Sequence, residues 1–257
     1  MTTKGSTYIL ESEEEIIRLS NQHDLIKDEA EGLVLAPINL AAKPLRILNS
    51  ATADGTWIRD LTQDYAAMPH DFVGTDIDSS NEPKNPVSHQ TYQIQDIQSP
   101  GLPTGGPMQK QIVSTPDDLV KPGGWIQLIE ATNESHESHG LAVAIVGGIY
   151  SAFSSSLKLT KELLEWLKEL GFEDVQYHDI DTKLGPLNPN LHLAKQGVYS
   201  TAVTAKSVAY YGSTLPAGMI PLTAEEIANA PDQLNVELVK VGAVYPLRIV
   251  WGWKPAA

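Results

Sequence analysis

ILNSATADGTW, residues 47–57, is the stretch on which the fold turns. PLRILNS leads into it as a short β-type run, and Trp57, Ile58, Leu61 and Tyr65 follow it at helical spacing. A turn between a strand and a helix brings backbone N–H groups and a helix N-terminus to face a ligand. Such turns usually carry two or three glycines. This one has Gly55 alone, with Ala51 and Ala53 ahead of it.

Outward from the loop, DFVGTDID reads as a second strand that ends at Asp76, 21 residues after Gly55. An acidic residue about 20 positions on is where ribose hydroxyls are met. TYQIQDI reads as a third, alternating strand, and Asp96 near its end is placed to receive an adenine amino group. Upstream, residues 11–30 predict an amphipathic helix: Ser12 and Glu15 form a capping box, and Ile16, Leu19, His23 and Ile26 make its stripe. Gly32 and Pro37 break it.

Downstream, the Pro- and Gly-rich Ser99–Gln109 is loop, TPDDLVK a short helix, and Trp125–Glu130 a strong strand. Leu159, Leu163, Leu167 and Leu170 align on one face of a helix over Leu157–Leu170. DVQYHDIDTKL is a strand, with His178 alternating among its apolar residues as a structural position. Residues 187–240 are mostly helical, with a capping box from Thr223 to Glu226, and YPLRIVWGW is the closing strand. Trp251 and Trp253 are expected on an edge there, against a helix or lining a pocket. Helices alternating with strands predict an α/β fold with a mostly parallel sheet, in one domain without repeats or a long linker.

Composition narrows the partners. With 42% apolar and 19% charged residues over 257 positions, the chain reads as a globular domain with a substantial core. It has no cysteine, which excludes disulfides and thiolate metal sites, and a cytoplasmic place is expected, with the nucleus also open. The start, MTTKGSTYILESEEE, lacks the apolar core of a signal peptide. No apolar run approaches the roughly 18 residues of a membrane span, so no membrane partner is expected. A formal charge of −14 argues against nucleic acid and for a neutral or cationic small molecule.

The stretches YILESEEEIIRLSNQHDLI, ILNSATADGTWIRDL, VKPGGWIQLIEA and YPLRIVWGWKP resemble the class I S-adenosylmethionine-dependent methyltransferases, and more narrowly the LaeA-like (UMTA-like) enzymes of fungal secondary metabolism. The resemblance runs along nearly the whole chain. It implies a Rossmann-like sandwich, mostly parallel with an antiparallel C-terminal strand. It divides residues 1–257 into a helical lid (1–44), a Rossmann-like core (45–182), a mostly helical cap (183–240) and the final strand (241–257). It implies S-adenosylmethionine as cofactor, held by Tyr8, by Asn49, Ser50, Ala51, Ala53, Gly55 and Trp57 of the loop, by Asp76 on the ribose, and by Ile77, Asp96 and Ile97 around the adenine. A small-molecule acceptor completes the expected reaction, and no metal is expected.

Two departures from the family pattern stand out. Asn49 replaces the usual leading Asp, and Ala51 and Ala53 replace the first two glycines of the loop. Between TYQIQDI and KPGGW the family has a fourth strand and a helix; here either QIVS (111–114) is a stunted fourth strand or the sheet lacks one. For the chemistry, His23, next to Gln22 and near Arg18, is either packed under a lid or orients and deprotonates the acceptor. His136 and His139 follow the Trp125 strand; His136 is a candidate base, while the pair with Glu134 and Glu137 reads as a metal set or as a polar loop. An alternative reading keeps the fold and drops the methyl transfer, leaving a cyclase or pericyclase, or a non-catalytic binding partner or regulator.

Overall fold

Eighteen residues of helix open the described chain: α1 (Ser12–Glu29), with three glutamates in its first turn where the helix dipole favours them. The computed structural model describes residues 12–95, 120–132, 159–216, 218–219 and 222–256. After α1 come β1 (Arg46–Ser50), α2 (Thr56–Asp64), β2 (Asp71–Asp76), β3 (Gln90–Ile94), β4 (Trp125–Ala131), α3 (Leu159–Glu169) and β5 (Glu173–Leu184). The chain then runs through α4 (Leu191–Thr214), α5 (Ala224–Lys240) and β6 (Ala243–Trp253). These match the helices and strands expected from periodicity. The stretch QIVS, the TPDDLVK helix and the Ser99–Gln109 loop lie outside the described residues.

The strands form two three-stranded sheets, ordered β1-β2-β3 and β4-β6-β5. The first is parallel throughout, with Ile47 beside Phe72 and Gly74 between Asn49 and Tyr92. In the second, β6 runs antiparallel to β4 and pairs from Trp125↔Trp253 to Ala131↔Leu247. The result is the expected mixture of parallel strands and an antiparallel C-terminal one. β6 is flanked on both sides, so Trp251 and Trp253 sit on a central strand, not on the edge that the sequence suggested. A strand that ends a chain looks like an edge in one dimension; its neighbours come from sequence far away.

The chain divides into two units, residues 1–29, 132–158 and 181–246 in one and residues 30–131, 159–180 and 247–257 in the other. In the second unit, Ile58 and Leu61 of α2 pack on Phe72, Leu33 and Leu40. Leu163 and Leu167 of α3 pack on Ile126, Phe172 and Val250. In the first unit, Leu25 of α1 meets Leu193 and Ala205 of α4, Leu234 and Leu238 of α5, and Leu184. The Thr223–Glu226 capping box of α5 is present as expected.

α1 corrects the sequence reading in one respect. Its buried positions are Glu15, Arg18 and Leu25, whereas Ile16, Leu19, His23 and Ile26 are half-buried. Both oxygens of Glu15 accept from Arg18, at 2.7 and 2.8 Å. Arg18 also donates to Gln22 at 2.8 Å and approaches Thr204 of α4 at 3.4 Å, and its carbonyl accepts from the Ser200 hydroxyl at 3.1 Å. A stripe counted from apolar residues misses a face built on a closed ion pair.

Candidate functional site

The loop after β1 turns through alternate left-handed residues: Ala51 at φ 55°, Ala53 at φ 47° and Gly55 at φ 74°. These are the positions where the resemblance sets glycine. An L-residue in this region is strained by roughly 1–2 kcal/mol, so the two alanines hold a glycine-type conformation under strain. Three hydrogen bonds fix it. Thr52 N–H reaches Thr75 O at 2.9 Å, Gly55 N–H reaches Thr52 O at 2.8 Å, and Ala53 N–H reaches Asp76 Oδ2 at 2.8 Å. The alternating hands fold the backbone into a concave turn whose N–H groups at 52, 53 and 55 are taken by these internal bonds.

At the mouth of α2, Asp54 accepts from the Thr56 N–H at 3.1 Å and the Thr56 hydroxyl at 2.7 Å, and pairs with Arg59 at 2.7 Å. Beneath the loop the β1-β2-β3 register sets Asn49, Gly74 and Tyr92 in one row. A Cβ on Gly74 would stand 2.6 Å from the Tyr92 ring and 2.9 Å from Thr52, and one on Gly55 would stand 2.5 Å from the Tyr92 hydroxyl. Tyr92 therefore fills the space under the loop, and both glycines are required by that contact. Burial pushes the Tyr92 hydroxyl above its ordinary value, against the pull of Arg59. Asn49 Oδ1 and Thr52 Oγ1 are buried there without a hydrogen-bond partner among the described residues.

The structure brings Asn49, Ser50, Ala51, Ala53, Gly55, Trp57, Asp76 and Ile77 together around this one turn. Ser50 and Ala51 are exposed, Trp57 packs on the α2 core, and Ile77 is 68% exposed just past Asp76. Tyr8, Asp96, Ile97 and His136 lie outside the described residues, as does His139. His23 lies on α1 in the other unit. His178, read as a structural position, is exposed on β5. Tyr92 and Thr52 were missed by sequence reasoning, because only strand register reveals that Tyr92 covers Gly74.

S-adenosylmethionine, the cofactor that the resemblance implies, fits this turn. Asp76 Oδ2 accepts from the Ala53 N–H, and the Asp78 N–H lies 3.3 Å from Oδ1. A carboxylate offers about four acceptor sites, so capacity for a ribose diol is left. The exposed apolar face of Ile77 beside it suits a flat purine, and the concave loop suits the polar methionine end. Among the described residues no group of histidines and carboxylates is arranged to hold a metal, and no helix is long and apolar enough to cross a membrane.

No family model matches the chain. Among characterised proteins it is similar to the N-methyltransferase sirN of Leptosphaeria maculans, 28% identical over 98% of this chain and 96% of that one. The N-methyltransferase gliN of Aspergillus fumigatus is 27% identical, with 96% of each chain covered. The methyltransferase psoC of the same fungus is 28% identical over 93% of this chain and 94% of its own. A Haemonchus contortus phosphoethanolamine N-methyltransferase superposes loosely, with a TM-score of 0.45 at 12% identity over 92% of this chain and 52% of that chain. Fungal methyltransferases thus align with this chain nearly end to end, at 27–28% identity, and that likeness supports a class I methyltransferase of fungal secondary metabolism.

Proposed function

We propose that this chain transfers a methyl group from S-adenosylmethionine to a nitrogen of a small molecule. The observation that carries the reading is the turn at 51–55, which keeps the left-handed glycine conformation at Ala51, Ala53 and Gly55 and is tied to Asp76. Nitrogen as the receiving atom follows the names of the relatives sirN and gliN. When bound, the cofactor supplies a methyl carbon on a sulfonium. The chain's part is alignment of the nucleophile and exclusion of water. Asp76 holds the ribose, Ile77 the purine face, and the concave turn at Ala51–Gly55 the methionine end. Tyr8, Asn49, Ser50, Trp57, Asp96 and Ile97 complete the proposed cofactor set, and His23 and His136 are the proposed acceptor-side groups.

Calorimetric titration with S-adenosylmethionine and S-adenosylhomocysteine tests this directly. Micromolar binding that Asp76→Ala abolishes supports the reading, and no heat at millimolar ligand sinks it. The methyl groups of Ala51 and Ala53, set where glycine is usual, favour a second reading in which the cofactor binds but methyl transfer is lost. The chain would then be a cyclase, a pericyclase or a binding partner, and binding without S-adenosylhomocysteine formation on any amine acceptor would mark it.

A further inference from the structure

The face of β4 and β6 that packs on α3 is apolar at first. Ile126 and Leu128 of β4 and Val250 of β6 lie under Leu163 and Leu167, with Val175 of β5 beside them. Strand side chains repeat every two residues, so the next positions on that face are Glu130, Arg248 and Tyr177 with Asp179. Glu130 stands opposite Arg248 in the antiparallel register. Arg248 is 7% exposed and gives Nε and Nη2 to the two oxygens of Asp179 at 2.6 and 2.7 Å, with its guanidinium 4.2 Å from the Tyr177 ring centre.

Glu130 is therefore the register partner of an arginine whose fork is turned to the other neighbour. The Glu130 Oε1 accepts the N–H of Ala131 at 3.1 Å. Burial pushes its carboxyl above the ordinary glutamate value, with the Ala131 N–H pulling the other way. It stands near the carboxyl end of β4, the outer strand of this sheet among the described residues, and that end is where α/β sheets bind ligands. A sheltered carboxylate there calls for a cation or a proton donor, and a chain of net charge −14 draws cationic small molecules.

We propose that Glu130 binds the acceptor nitrogen and takes its proton during methyl transfer. This rests on the nitrogen-methylating reading above. An amine enters largely protonated and has no free lone pair until a base takes the proton. In the step, the nitrogen lone pair forms the N–CH3 bond, the electron pair of the broken S–CH3 bond stays on sulfur, and the nitrogen's proton moves to Oε2 of Glu130. Arg248 and Asp179 are the charged groups facing Glu130 across the sheet. They pair with each other, and Glu130 is the carboxylate at the end of β4 in this row.

Parent, Glu130→Gln and Glu130→Asp are compared with tryptamine and morpholine as probes. S-adenosylhomocysteine binding is measured first: its absence from the parent is failure of the function reading, while equal affinity in parent and E130Q isolates Glu130. With S-adenosylhomocysteine saturating, E130Q is expected to bind the amines at least tenfold more weakly. With S-adenosylmethionine, kcat/KM of the parent falls as pH drops through a raised carboxyl titration. E130Q loses that inflection and about a hundredfold in rate, and E130D restores part of it. Amine binding by E130Q equal to the parent's overturns the proposal, as does a parent that binds S-adenosylhomocysteine and neither amine.

Discussion

The carboxylate of Asp76 accepts the N–H of Ala53 at 2.8 Å, so the residue that ends β2 also clamps the loop that follows β1. In the proposed reading one side chain thus serves ligand and fold together. Asp76→Ala is expected to lower stability by about 1–2 kcal/mol through loss of a charge-assisted bond. Asp76→Asn, which keeps an acceptor oxygen for Ala53, should lose less than half of that. Both should weaken S-adenosylhomocysteine binding at least tenfold. Urea unfolding with calorimetry separates the two roles, and unchanged stability in Asp76→Ala would remove the clamp.

Ala51 and Ala53 hold φ of 55° and 47°, so each glycine substitution relieves backbone strain. Relief of roughly 1–2 kcal/mol per site is partly offset by the added freedom of glycine in the unfolded chain, about 0.4–1 kcal/mol each. The double variant Ala51→Gly, Ala53→Gly should therefore be about 1 kcal/mol more stable than the parent. It should also bind S-adenosylmethionine more tightly, since two methyl groups leave the loop. A double variant with parental affinity would show that the alanines do not limit binding.

The loop was legible in sequence because its signals are local: a strand before it, a helix after it, and Asp76 at the expected distance. Its strain was not, since nothing in the letters of Ala51 states the sign of φ. Tyr92 escaped because its contact with Gly55 and Gly74 depends on how β2 and β3 align. Central placement of β6 escaped for the same reason, as pairing partners far apart in sequence leave no periodic trace. On α1, the count of apolar positions ran one step around the helix from the face that Glu15 and Arg18 bury.

That ion pair gives a third prediction. Glu15 and Arg18 are 6% and 8% exposed, and Arg18 is tied to Gln22 and Thr204 as well. Removing one member leaves a buried charge, at about 3–5 kcal/mol. Glu15→Ala should therefore unfold in urea with a loss of that order, while Glu15→Leu with Arg18→Met should recover most of it. A single variant within 1 kcal/mol of the parent would mean that water reaches the pair.

His70 supplies the pH dependence. It is 2% exposed, its Nδ1 accepts the Leu45 N–H at 3.1 Å, and its ring meets Tyr65 and Phe72 edge-on at 6.1 and 6.0 Å. Burial holds its pKa below the ordinary 6.5. Protonation would place a proton on Nδ1, break the Leu45 bond and leave a charge among aromatic rings. The unfolded chain thus takes up this proton first, so its contribution to stability is whole above about pH 6.5 and is lost as pH falls from there toward the lowered folded value. The loss is at most about 1.4 kcal/mol per pH unit. His70→Asn, whose oxygen can stand in for Nδ1, should be less stable than the parent at pH 8, with the gap closing between pH 6.5 and 5. Stability curves that stay parallel across that range would show that His70 keeps its neutral form without strain on the fold.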